Sequence, residues 1–160
     1  MSNGTSHLIG LISDTHGMVR AGVHSALAGV ELILHAGDVG GDEILDELEM
    51  IAPVMAVSGN TDDTTNPRLS AAIDRVIGGL SIHVSHGHEV GSPTPARLLD
   101  RYAADVIVYG HTHQQLVSRA DARLVINPGA AGARRFKLSP SVALLRIAGG
   151  SAEVELIALD

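Results

Sequence analysis

The chain has 160 residues, a formal charge of −7, 45% hydrophobic and 18% charged side chains, the make-up of a globular protein able to bury one core and read as one domain over residues 1–160. Aromatic residues are only 2% of the chain (Tyr102, Tyr109 and Phe136), which argues against base stacking on single-stranded nucleic acid, and the acidic balance argues against a duplex binder. Cysteine is absent, so disulfides and thiolate metal sites are excluded, and any metal must be held by His, Asp, Asn or similar ligands.

The N-terminal stretch "MSNGTSHLIGLISD" has no basic region, and its apolar run is too short for a signal peptide or a membrane span, so the expectation is a cytoplasmic protein with no membrane partner. Leu8 to Ile12 reads as a buried strand, Val19 to Ala28 as a helix, Glu31 to His35 as a strand, Glu43 to Ile51 as a helix and Val54 to Val57 as a third strand. This βαβαβ pattern calls for parallel pairing through right-handed crossovers. In the second helix Ile44, Leu45, Leu48 and Ile51 share an apolar face, and Asp42 is placed to cap its start.

Asn60 to Ser70 is polar and turn-forming and reads as a loop. Ile73 to Ile77 and Ser81 to Ser85 flank Gly78 and Gly79 as a hairpin. Thr94 and Pro95 suit the cap and first turn of a helix that buries Leu98, Leu99 and Tyr102. Strands follow at Val106 to Tyr109, Leu116 to Arg119, Leu124 to Ile126, Val142 to Ile147 and Val154 to Leu159, the last two closing as a hairpin around Gly149 and Gly150.

Five runs end on the same kind of chemistry: "SDTH" at Ser13 to His16, "HAGD" at His35 to Asp38, "SGN" at Ser58 to Asn60, "SHGH" at Ser85 to His88 and "YGHTH" at Tyr109 to His113. In an open α/β sheet functional groups gather beyond the carboxyl ends of strands. Taken singly, each has a plainer use: Asp14 or Asp38 could cap a helix, Asn60 could sit in a turn, and the histidines could be solvated. Together, Asp14, His16, Asp38, Asn60, His86, His111 and His113 form an oxygen and nitrogen set too large for one tetrahedral ion, which points to two metals and two-metal catalysis.

On "DTH" at Asp14 to His16, "GD" at Gly37 and Asp38, "GN" at Gly59 and Asn60, "HG" at His86 and Gly87, and "GHTH" at Gly110 to His113, the chain resembles the calcineurin-like metallophosphoesterase superfamily. "GNTD" at Gly59 to Asp62 and "NPGAAGARR" at Asn127 to Arg135 look most like its small phosphodiesterase branch, which is also similar to a retromer subunit. The resemblance implies an α/β fold, a four-layer α-β-β-α sandwich of two mixed sheets. It implies that Asp14, His16, Asp38 and His113 hold one divalent metal and that Asp38, Asn60, His86 and His111 hold the other, with Asp38 bridging. Manganese is the first expectation for the two ions, ahead of nickel, iron, zinc, cobalt or magnesium. The implied reaction is attack of a metal-bridging hydroxide on a small phosphate ester, most simply a diester, with a homodimer as the branch's common form. A phosphomonoesterase of the same fold, or a non-catalytic protein-binding scaffold, are the alternatives.

Many members of the superfamily carry "GNH", where this chain has Thr61, so no leaving-group acid carries over at that position. Asp62 and His88 are the local candidates for a leaving-group role, against a turn-capping Asp and a solvent-exposed His. Asn60 and Arg135 are candidate substrate contacts; Arg135 matches an arginine of the branch but could equally be a surface residue, while Ala130 stands where the branch has serine. His7, His24, His35 and His83 read as packing or surface residues.

Overall fold

The structure is a computed structural model that describes residues 6–134 and 138–159. Its elements, in chain order, are β1 (Ser6–Ile12), α1 (Ala21–Ala26), β2 (Leu32–His35), α2 (Asp42–Glu49), β3 (Val54–Val57), β4 (Leu69–Ser70), β5 (Ile73–Ile77), β6 (Leu80–Val84), α3 (Pro95–Arg101), β7 (Val106–Val108), β8 (Leu116–Ala120), β9 (Arg123–Asn127), β10 (Ser141–Ala148) and β11 (Ser151–Ala158). A single 3-10 turn, His88–Val90, precedes α3.

They form two mixed sheets, ordered β11-β10-β1-β2-β3-β4 and β5-β6-β7-β9-β8. The period of two along each strand divides its side chains between two cores. Ile9, Leu11, Leu34, Val84, Val106 and Val108 point between the sheets. Ile12 and Ile33 point outward against Val23 of α1, Leu27 just beyond its end, and Leu45 and Leu48 of α2. On the far side, Ile107 and Val125 meet Leu98 of α3. The layers are therefore helix, sheet, sheet, helix, and each fully buried Leu, Ile or Val contributes about 1.5–3 kcal/mol of transfer free energy. Arg119 reaches from β8 to the carbonyl of Ala152 on β11 (2.8 Å), tying the outer strands of the two sheets together.

The strands β1, β2 and β3 pair in parallel, as the βαβαβ reading requires, while β10 joins β1 antiparallel and β11 extends it. Both glycine-pair hairpins form, with positive φ at Gly78 and Gly79 and at Gly149 and Gly150, the backbone that a two-residue turn between twisted strands demands.

Local chemistry decides where the elements depart from the pattern. The first helix is cut to Ala21–Ala26, because Arg20 is extended and offers its start no side-chain cap. Gly41, not Asp42, occupies the cap position of α2. Asp42 is instead the helix's first residue, where its charge still suits the amino end, and its Oδ1 accepts a hydrogen bond from Asn66 (2.7 Å). Leu69 and Ser70, in the stretch expected to be loop, add a two-residue strand parallel to β3. At α3 the cap expected at Thr94 is present, its side chain accepting from the Arg97 amide (3.2 Å). Replacing this cap, Thr94→Ala, should lower stability by about 1 kcal/mol in urea unfolding, and an unchanged midpoint would show that Pro95 alone fixes the helix start.

Candidate metal centre

Parallel pairing places the carboxyl ends of β1, β2 and β3 on one edge of the first sheet, and those of β6 and β7 on the matching edge of the second. The seven candidate ligands lie just past these ends and meet there. His16 Nε2 is 3.6 Å from Asp14 Oδ1 and 3.5 Å from Asp38 Oδ2. His113 Nε2 is 3.3 Å from Asp14 Oδ1, and His86 Nε2 is 3.3 Å from Asp38 Oδ2 and 3.9 Å from Asp14 Oδ1. Asn60 Oδ1 lies 3.0 Å from His86 Nε2 and 3.2 Å from His111 Nδ1. Asp14, His16 and His113 thus form one compact group, Asp14, Asp38 and His86 a second, and Asn60 and His111 adjoin the second.

The donor set passes a direct test for a cation. Asp14 is buried, and its Oδ2 is served by Ser13 Oγ (2.6 Å) and the His111 amide (3.1 Å). Its Oδ1 has no hydrogen-bond partner among the described residues. A buried carboxylate oxygen left so costs several kcal/mol unless charge is supplied, and three imidazole nitrogens converge on this one. Burial pushes the Asp14 carboxyl up, but His113, His16 and His86 outweigh it and hold the group below the ordinary carboxylate range. For Asp38 burial is likewise overcome, chiefly by His86 and Thr61, and its pKa falls to about 2. Both acids are anionic at neutral pH, as metal ligands must be.

The backbone is bent to make this possible. Asp14, His16, Asp38, His111 and His113 all have positive φ, between 45° and 73°, a conformation that costs a residue with a Cβ about 1–2 kcal/mol. Strain repeated at five of the seven candidate ligands marks a site that the surrounding strands over-determine. Gly110 has a different reason to be bare: a Cβ there would lie 2.1 Å from Ser13 Oγ and 2.6 Å from Asp14 Oδ2.

Several residues fix the ligands from behind. His86 Nδ1 donates to the Ala36 carbonyl (2.8 Å), which turns the ring so that Nε2 faces Asp38 and Asn60. Asn127 Nδ2 bonds the Gly110 carbonyl (3.2 Å) and Thr112 Oγ1 (3.0 Å), so the "NPG" turn anchors the "GHTH" loop. Glu89 accepts from the Gly87 amide (3.0 Å) and from the Tyr102 hydroxyl (2.8 Å), clasping the loop after His86 to the end of α3.

His35, read as packing, braces the centre. Thr15 Oγ1 donates its one proton to the Val39 carbonyl (2.7 Å), so it accepts from His35 Nε2 (3.0 Å), while His35 Nδ1 accepts from the Gly37 amide (3.1 Å). The neutral ring thereby links the loops that carry Asp14 and Asp38. The "T" of "DTH" paired with the "H" of "HAGD" is the only trace of this in the sequence, and neither residue alone announces it.

Of the other candidates, Asp62 accepts the amides of Val39 (3.0 Å), Gly40 (3.2 Å) and Gly59 (2.9 Å), which places it as a clamp between two loops. His88 is exposed at the rim, its ring 5.4 Å from that of His86 and 6.2 Å from that of His111. Arg135 lies outside the described residues. His7 and His24 pair with Glu31 and Glu47 on the surface, and His83 is buried beside Asp74 (2.8 Å) and stacked on Tyr102.

An edge where the strand ends of two sheets bring carboxylate, amide and imidazole groups together is the layout of a metal-binding site in an α/β fold. The calcineurin-like phosphoesterase superfamily domain matches residues 8–150, and the chain belongs to that superfamily. It is 39% identical to a probable metallophosphoesterase of Methanothermobacter thermautotrophicus, over 94% of this chain and 91% of that protein. It is 30% identical to a phosphodiesterase of Methanocaldococcus jannaschii, over 76% of this chain and 82% of that one. In fold it resembles Vps29 of Entamoeba histolytica complexed with zinc, with a TM-score of 0.78, 24% identity, and coverage of 96% of this chain and 99% of the other.

Burial pulls the His35 pKa from 6.5 down to about 4. Below pH 6.5 the unfolded chain takes up a proton that the folded protein refuses until about pH 4, so stability should fall as pH drops through that interval, by on the order of 3 kcal/mol. His35→Gln should flatten this acid slope in pH-dependent melts of metal-free protein; an equal slope in the variant would assign the effect elsewhere.

Proposed function

We propose that this chain is a dinuclear metal-dependent phosphodiesterase acting on a small phosphate ester. The observation that carries the reading is Asp14 Oδ1, a buried carboxylate oxygen with no well-formed hydrogen bond among the described residues and three imidazole nitrogens within 3.9 Å. In this reading Asp14, His16, Asp38 and His113 hold one divalent ion and Asp38, Asn60, His86 and His111 the other, with manganese as the first choice. Bound there, such ions supply a water-derived nucleophile at neutral pH and charge stabilisation at the phosphate oxygens.

The chain's own residues do the rest. Ser13 and Asn127 hold ligand orientations through the contacts described above, and the oxygens of Asp14 and Asp38 that face the cluster set where the divalent ions would be held, whose charge would draw an anionic phosphate despite the acidic surface. Asn60 stands beside the same position as a substrate contact. His88, at the rim and outside the ligand cluster, takes the leaving-group side in preference to Asp62, whose oxygens are engaged by three amides. A cavity of about 340 Å³ lined by Val39, Leu45, Thr61, Asp62 and Leu69 lies beside the loops of Asp38 and Asn60, though none of the candidate ligands lines it. The relative named a phosphodiesterase supports a diester over a monoester.

Manganese-loaded protein should hydrolyse an aryl phosphodiester with a higher kcat/KM than the matching monoester; the reverse order would make it a phosphomonoesterase. Asp38→Asn should cut the diesterase rate by about 100-fold or more, since it weakens a ligand common to both ions, and a variant retaining wild-type metal-dependent activity would contradict the assignment.

A further inference from the structure

Asp38 divides its two oxygens. Oδ2 faces the cluster, 3.5 Å from His16 Nε2 and 3.3 Å from His86 Nε2. Oδ1 faces away and accepts two hydrogen bonds from one residue, the Thr61 amide (3.0 Å) and the Thr61 hydroxyl (2.8 Å). The backbone is arranged for this contact. Gly59 lies so close that a Cβ would sit 2.0 Å from Asp38 Oδ1, so only glycine lets the Asn60–Thr61 segment fold over the carboxylate. Asp62 then pins that segment to the Asp38 loop through the amides of Val39, Gly40 and Gly59.

A carboxylate with one oxygen tied by two donors cannot rotate to offer both oxygens to cations without breaking them. We infer that Thr61 is a positioning residue that restricts Asp38 to a single shared oxygen, Oδ2, and thereby sets the affinity for both metal ions. The hydroxyl's only proton is committed to Asp38, so Thr61 does not serve a leaving group. The position that departs from the superfamily's histidine thus carries a different task.

This inference rests on the dinuclear reading above. Its test is calorimetric titration of manganese into metal-stripped full-length wild type, Thr61→Val, Thr61→Ser and His111→Ala, with no activity readout. Thr61 is exposed, so valine leaves the core untouched. Thr61→Val should weaken both manganese equivalents by about tenfold or more, while Thr61→Ser, which keeps the hydroxyl, should stay within about threefold of wild type. His111→Ala should weaken one equivalent only. If Thr61→Val binds both equivalents like wild type, or loses only the equivalent lost in His111→Ala, the shared-oxygen role is wrong and the dinuclear reading survives. If wild type takes up fewer than two equivalents, the dinuclear reading fails and this inference with it.

Discussion

The constraint on which the rest depends is the burial of Asp14. A carboxylate removed from water must be compensated at both oxygens, and here Ser13 and the His111 amide compensate only Oδ2. The other oxygen faces imidazoles from the ends of β1, β6 and β7, so elements distant in sequence converge on the one oxygen that Ser13 and the His111 amide leave unserved. Parallel pairing within each sheet makes the convergence possible, because it alone brings successive carboxyl ends to a common edge. The two sheets then have to pack face to face for the edges to meet.

That geometry is expensive locally. Five candidate ligands in left-handed backbone, at about 1–2 kcal/mol each, would consume much of the 5–15 kcal/mol by which an ordinary domain is stable. The apolar layers between and outside the sheets, with His35, Asn127 and the Glu89–Tyr102 contact, hold the loops where the backbone alone would not stay. Rigid layers and strained loops are two halves of one arrangement: the former exist at full strength only a few residues from the latter.

Much of this was legible in the residues. Strand periodicity located ten of the eleven strands among the described residues to within a few positions, and the recurrence of Asp, His or Asn at five strand ends pointed to the candidate ligands that the structure brings together. What escaped has physical causes. Leu69 and Ser70 form a strand only because β3 offers a free edge, a tertiary fact with no local signal. Asp42 looked like a cap because composition does not reveal that Gly41 takes the preceding backbone position. His35 sits inside an apolar run, where a brace and a filler look alike until Thr15 and Gly37 are seen on its two nitrogens. Thr61 read as a missing acid; its use depends on which oxygen of Asp38 it meets.

The most direct measurement is anomalous diffraction from crystals of manganese-loaded protein. The account predicts two manganese peaks flanking Asp38, one ringed by Asp14, His16 and His113 and the other by Asn60, His86 and His111. A single peak, or manganese bound away from Asp14, would contradict it.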